Sequence, residues 1–274
     1  IDNRDITGVG FQPDFVMVAS TITRYPVFKP DTLIGDFSCF FVSGILPSPN
    51  YIQLFGADGF QVGGDNTVNI TGETYHYVAM KKLAGVFSTG TYVGDGVDNR
   101  NITGVGFQPD FVFVKGGDRH PVARSSTLTG DNSQLIESDT RLQSNEIQAL
   151  QADGFQVGSG VRANQSGTAM HWMAFKNTAG SFKVGTYTGD GLDNRSITGV
   201  GFQAKVVWVL NTNDQNFNLG EHAWKSASQA GDASDDFGAT ALAANKIQAI
   251  EADGFQVGTY GSVNTSGVAY HYMA

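Results

Sequence analysis

Apolar residues along this chain come in short runs separated by glycine-rich polar turns. Phe111-Val112-Phe113-Val114 is a continuous apolar run, which predicts a short strand buried on both faces. Further on, Ile147–Ala152 and Phe155–Gly158 flank Asp153-Gly154, the strongest short-range hairpin signal. Phe155 and Val157 are expected to face a core, with Gln156 outward. The run Met170–Phe175 alternates, placing Met170, Trp172 and Ala174 on one face and His171, Met173 and Phe175 on the other. Both faces carry large apolar groups, so a central strand is predicted. Gly185-Thr186-Tyr187-Thr188 reads as a half-exposed strand. Gly104-Val105-Gly106 permits a bulge or a close backbone approach. Pro109-Asp110 and the Gly-Asp-Gly triplets read as turns. The one helical hint is a turn within Ala239–Lys246.

These patterns recur with a period of roughly 95 residues. Asp2-Asn3-Arg4-Asp5-Ile6-Thr7-Gly8-Val9-Gly10-Phe11-Gln12 returns from Asp98 and again from Asp193. Ala-Asp-Gly-Phe-Gln-Val-Gly begins at Ala57, Ala152 and Ala252. The turns at Asn69, Asn164 and Asn264 each lead into an aromatic strand, Tyr75-His76-Tyr77, Met170-His171-Trp172 and Tyr270-His271-Tyr272. A block Gly-Thr-Tyr-x-Gly-Asp-Gly stands at Gly90–Gly96 and Gly185–Gly191. Many short strands with regular turn signals predict an all-β fold of three tandem β-sandwich domains. Their expected bounds are 1–82, with its N-terminal strand missing, 83–177 and 178–274. The expected reason for that missing strand is a polypeptide cut from a longer array. The alternative is a strand added by a neighbouring chain. Between the recurring blocks lie the divergent stretches Ala19–Tyr51, Lys115–Glu146 and Leu210–Lys246, polar and weakly periodic.

Composition sharpens the picture. There are 35 glycines among 274 residues, and only 16% of residues are charged, which suits strands and tight turns more than long surface helices. A net charge of −9 without basic runs argues against nucleic acid as a partner. No apolar run is long enough to span a membrane as a helix. Cys39 is the single cysteine, so no intrachain disulfide forms.

The blocks Gly-Thr-Tyr-Thr-Gly-Asp-Gly, Ile-Thr-Gly-Val-Gly-Phe-Gln-Pro-Asp-Phe-Val and Asp-Gly-Phe-Gln-Val-Gly resemble an uncharacterised repeat domain of bacteriophage structural and tail-associated proteins. That resemblance covers all three copies outside the divergent stretches. It implies a SPRY-like or lectin-like (jelly-roll) sandwich and brings no catalytic residues with it. The third copy departs from the pattern at Ala204-Lys205, where the others have Pro-Asp, which puts its turn in question.

Candidate chemistry is sparse. His76, His171 and His271 recur at one strand position, but one histidine per copy falls short of a metal site, so each reads first as a strand residue bonded to a neighbouring segment. Asp95 with Asp98, and Asp190 with Asp193, offer loop oxygens for Ca²⁺ or ordinary turn chemistry. Arg4, Arg100 and Arg195 read as structural ion-pair partners, and the strand aromatics as core. Cys39 occurs in one copy and cannot be the repeat's nucleophile. The Asn-x-Ser/Thr sequons at Asn69, Asn101, Asn164, Asn194 and Asn264 are in large part the recurring turn. No nucleophile elbow, phosphate loop or zinc-helix motif is present. No catalytic residue, metal or cofactor is therefore assigned.

The expected function is a non-enzymatic structural component of a virion or extracellular fibre, the copies acting as rigid beads. Its partners would be itself or other virion and surface proteins. The alternative is a carbohydrate- or receptor-binding module that meets a cell-surface glycan through the divergent stretches. A glycan-degrading enzyme would need two carboxylates across a cleft, and no pair recurs in all copies.

Overall fold

The computed structural model describes residues 2–136, 142–212 and 222–274, so parts of the second and third divergent stretches (137–141 and 213–221) lie outside the described residues. The first segment forms β1 (Arg4–Thr7), β2 (Phe15–Ser20), β3 (Val27–Pro30), β4 (Cys39–Phe40), β5 (Ile52–Gly56), β6 (Gly59–Val62) and β7 (Tyr75–Met80). The second forms β8 (Phe87–Val93), β9 (Arg100–Thr103), β10 (Phe111–Gly116), β11 (Val122–Ser125), β12 (Ser133–Leu135), β13 (Leu142–Gln143), β14 (Ile147–Gln151), β15 (Gly154–Val157), the single-turn α1 (Val161–Asn164) and β16 (Ala169–Phe175). In the third are β17 (Val184–Thr188), β18 (Arg195–Thr198), β19 (Val206–Asn211), β20 (Ala223–Ser226), β21 (Asp235–Asp236), β22 (Ile247–Glu251), β23 (Gly254–Val257), the single-turn α2 (Gly261–Asn264) and β24 (Ala269–Met273).

Every named strand pair is antiparallel. Each segment builds one large and one three-stranded sheet. The large sheets run β4-β3-β2-β7, β13-β12-β11-β10-β16-β8 and β17-β24-β19-β20-β21, and the small ones β1-β6-β5, β9-β15-β14 and β18-β23-β22.

Residue period two sorts the apolar runs between two cores. On β10, Val112 and Val114 point at the small sheet and pack with Ile102, Phe155, Val157 and Trp172. Phe111 and Phe113 point the other way, into a cluster shared by all three segments. There Phe113 meets Phe28 at 5.4 Å and Trp208 at 6.1 Å between ring centroids, and Phe41 meets Trp208 at 6.0 Å and Phe237 at 4.9 Å. The copies are therefore not separate beads. Their large sheets turn inward onto one aromatic core, which explains why these strands are apolar on both faces.

The recurring glycines and aspartates join small-sheet strands to loops. Gly154 lies at φ 147°, and a Cβ there would sit 2.0 Å from the Ile102 carbonyl oxygen, so the Asp-Gly turn lets β15 close against β9. The Asp153 carboxylate accepts the N–H groups of Gly104 (3.1 Å) and Gly106 (2.7 Å). Asp58 and Asp253 do the same for Gly8 with Gly10 and for Gly199 with Gly201. The Gly-Val-Gly and Asp-Gly blocks are thus two halves of one capped loop.

Two expectations need correction, on the divergent stretches and on the helical turn. The divergent stretches are not mainly polar loops: they supply β3, β4, β11 to β13, β20 and β21, with Phe28, Phe41, Trp224 and Phe237 buried in the central core. Their strands are too short for a period to show. Ala239–Lys246 holds bends and isolated bridges rather than a helical turn, Thr240 pairing with Arg24 and Ala243 with Ser234. The single helical turns stand instead just before the asparagine turns. The aromatic strand is central in the second and third segments, whereas β7 is a sheet edge. The Ala204-Lys205 turn itself persists, because the Lys205 carbonyl accepts the Ala227 N–H as those of Asp14 and Asp110 accept their partners. Phe107 and Phe202 pack on their segments' cores, while Phe11 is half-buried and belongs to none.

A common core couples distant segments. Trp208→Ala is expected to lower unfolding free energy by about 3–5 kcal/mol. It should also speed thiol modification of Cys39, which sits in the same cluster but on the first segment. Chemical denaturation and thiol-labelling kinetics measure both, and an unchanged Cys39 rate would contradict a shared core.

Candidate functional site

A polar groove recurs between the Gly-Phe-Gln turn, the second strand of the large sheet and the first strand of the small-sheet hairpin. In the first segment it holds about 770 Å³ and is lined by Gln12, Asp14, Asp31, Asp36, Gln53 and Phe55 among others. The second segment's groove, about 440 Å³, includes Gln108, Asp110, Arg124 and Lys176. The third, about 380 Å³, includes Gln203, Lys205, Lys225 and Gln248.

Two devices shape each groove. The hairpin strand carries a β-bulge, with register breaking between Ile52 and Leu54, Ile147 and Ala149, and Ile247 and Ala249. The bulged residue is always a glutamine, and bulges re-aim side chains. Gln53, Gln148 and Gln248 donate through Nε2 to Asp2, Asp98 and Asp193, while each Oε1 is buried with no hydrogen-bond partner among the described residues.

The second device is a buried cation under the adjoining loop. Lys29 Nζ donates to the carbonyls of Leu33 (2.9 Å), Gly35 (2.7 Å) and Phe37 (2.7 Å). Arg124 donates to Gly130 and Asn132, and Lys225 to Gly231 and Ala233. Burial pushes the Lys29 ammonium down to about 8 and lowers Arg124 and Lys225 as well. Sequence reasoning missed these cations. A signal existed: each follows two buried apolar residues, in Val27-Phe28-Lys29, Val122-Ala123-Arg124 and Ala223-Trp224-Lys225.

The groove's carboxylates are engaged by the fold. Asp14 accepts the Lys82 N–H (2.7 Å), Asp31 pairs with Lys82 Nζ (2.5 Å), and Asp36 accepts the Asn50 N–H. Asp110 accepts the Asn177 N–H and the Ser126 hydroxyl. At the positions of Asp14 and Asp31 the third segment has Lys205 and Ala227, whereas the Asp36 position is aspartate throughout, Asp131 and Asp232 accepting the Asn145 and Asn245 N–H groups. The three grooves thus share a frame but not a charge.

The residues singled out from sequence lie elsewhere, as fasteners. His171 Nδ1 lies 2.9 Å from the Thr32 hydroxyl of the first segment, His271 Nδ1 2.6 Å from Thr127 of the second, and His76 Nδ1 3.0 Å from Ser228 of the third. The set is cyclic, each histidine reaching a different segment. Asp95 accepts the Val97 N–H and lies 3.4 Å from Arg100, whereas Asp98 receives Gln148. Asp190 and Asp193 repeat this with Arg195 and Gln248. The two carboxylates of each loop therefore serve different partners. Arg100 and Arg195 also lie over the rings of Tyr92 and Tyr187, 5.3 and 5.4 Å from their centroids. Arg4 reaches Asn69 instead. Asn164 and Asn264 are fully buried and bind loop backbone, which leaves those sequons inaccessible in the fold. Cys39 is buried, and burial pushes its thiol up to about 12.

Residues 82–183 and 177–273 each match the family described as Domain of unknown function (DUF7483). The chain belongs to this family. Both DUF7483 matches open ahead of a Gly-Thr-Tyr strand, β8 in one and β17 in the other. No curated protein and no solved structure matches the chain.

The histidine seam titrates. Burial lowers all three histidines, His271 to about 4 from 6.5, with Lys29 adding to the effect at His171 and Lys225 at His76. Folded His271 then binds fewer protons than unfolded, so its contribution to stability grows as pH rises from about 4 to about 6.5. In His271→Gln, the rise in thermal midpoint across that window should be shallower than in the wild type. Melts at several pH values test this, and parallel profiles would count against it.

Proposed function

We propose that this chain is a non-enzymatic structural component of a virion or extracellular fibre. In this reading it is built as three tandem β-sandwich units of jelly-roll or SPRY-like type, and it works by contact with copies of itself or with other surface proteins. One observation carries the reading. Many of the polar side chains that recur between copies, among them the histidines, the loop aspartates, the arginines and the bulged glutamines, bind another part of the same chain. What the repeat keeps is a fastener set. The resemblance to phage structural repeats points the same way and supplies the virion or extracellular location.

A second reading has its own observation. The first groove is the largest, and it combines Asp14, Asp36, Gln53 and Gln61 with the ring of Phe55. Polar groups beside an aromatic face suit a sugar of a cell-surface glycan. In this second reading recognition would use the first segment's groove, whose Asp36 and Asp31 come from a divergent stretch.

Immunogold electron microscopy should find the chain built into a particle or filament, with a silent glycan array. An array signal that disappears in Phe55→Ala would favour recognition, and a chain found free of any assembly would overturn the structural reading.

A further inference from the structure

In the second and third segments the aromatic strand is covered on its outer edge by a Gly-Thr-Tyr strand. β8 pairs along β16, and β17 along β24. Among the described residues no strand covers the equivalent edge of β7. Tyr77 is 38% exposed there, against 5% for Trp172 and 6% for Tyr272 at the same position.

The edge is shaped for a specific strand. Tyr187 packs against Phe255 (6.2 Å) and stacks on Tyr270 (5.2 Å), and its hydroxyl donates to the Val263 carbonyl (2.5 Å). In the first segment the counterparts of those residues, Phe60, Tyr75 and Val68, together with Arg4, line a cavity of about 150 Å³ beside β7. A cavity of roughly 150 Å³ accommodates a benzene ring. Arg4 bonds Asn69, as Arg195 bonds Asn264. Arg195 also holds the Thr188 carbonyl (2.6 Å) and the Asp190 carboxylate (3.2 Å), both on the arriving strand and its loop.

The flanking glycines are part of the fit. A Cβ on Gly185 would sit 2.3 Å from the Tyr272 ring, and one on Gly189 would sit 2.1 Å from the Thr265 carbonyl oxygen. Tyr77 and Ile70 occupy those two positions in the first segment.

We infer that the β7 edge is a strand-acceptor site. Its partner is an extended polypeptide segment of sequence Gly-Thr-Tyr-x-Gly-Asp, supplied from outside residues 2–274. Backbone pairing to β7 supplies affinity, and the tyrosine pocket, the glycine contacts and Arg4 supply selectivity. This stands apart from the structural or glycan-binding role, since it concerns how one sheet is completed.

The test titrates the 274-residue chain with the peptide of residues 184–191, and with the same peptide carrying Tyr187→Ala. Saturable binding is expected, with backbone amide shifts confined to Tyr75–Met80 and the neighbourhood of Arg4. The Tyr187→Ala peptide should bind about tenfold more weakly or worse, as expected when a stacked aromatic is lost. Joining the peptide ahead of Ile1 by a short linker should raise the thermal midpoint through effective concentration, and the Tyr187→Ala version should not. The inference is overturned if neither free nor joined peptide has an effect, or if both peptides bind equally. It also falls if the chain alone self-associates with the β7 amides protected, because a second copy would then be the occupant.

Discussion

The structure depends on one cluster of aromatic rings. Phe28 and Phe41 from the first segment, Phe113 from the second, and Trp208 and Phe237 from the third meet at centroid distances of 4.6 to 6.1 Å, tilted or edge to face. That geometry suits ring quadrupoles, and the rings bury large areas. Each large sheet must present one face to its own small sheet and the other to this centre. The demand reaches back to sequence: a strand with two buried faces cannot alternate apolar with polar residues. Hence Phe15 to Ala19 and Phe111 to Val114 are continuous apolar runs.

How far the fold was legible follows from the same physics. The runs, the Asp-Gly hairpins and the facing of Met170, Trp172 and Ala174 against His171, Met173 and Phe175 could be read, because each obeys a local rule. The shared centre could not. Nothing local distinguishes a strand facing its own domain's core from one facing a neighbour's, so the copies read as beads. The divergent stretches hid their contribution because β4 and β21 are two residues long. The grooves escaped for another reason. A bulged glutamine and a lysine in a buried strand look like surface residues until the chain is folded around them.

The histidines show how a recurring polar residue can serve the frame. Repetition at one strand position invites a metal reading, but a strand residue bonded to a neighbouring segment is the first expectation, and each ring lies on the inward face of its large sheet, at the seam with the next segment. A hydroxyl of that segment meets Nδ1 in all three cases, twice threonine and once serine. Burial disfavours the imidazolium, and a neutral ring needs only one such partner to satisfy that nitrogen. A hydrophobic residue there would pack but would not choose among neighbours. The bond adds to the aromatic centre a hydrogen-bonded contact between named partners of neighbouring segments.

Frame and groove rim agree to different extents among the three copies. The bulge, the glutamine, the buried cation and the loop carboxylate (Asp36, Asp131 and Asp232) stand in all three copies, whereas the rim runs from Asp14, Asp31 and Lys81 through Asp110 and Lys176 to Lys205. If the three grooves took a common ligand, the groups that hold it would have to agree in charge, and they do not. The parts that agree are those that brace loops over strands. A buried lysine bonded to three carbonyls fixes a loop, because leaving any of those bonds unmade inside the protein costs more than a surface bond returns. The repeated constellation is therefore a means of holding the rim still, and what the rim meets is set separately in each segment.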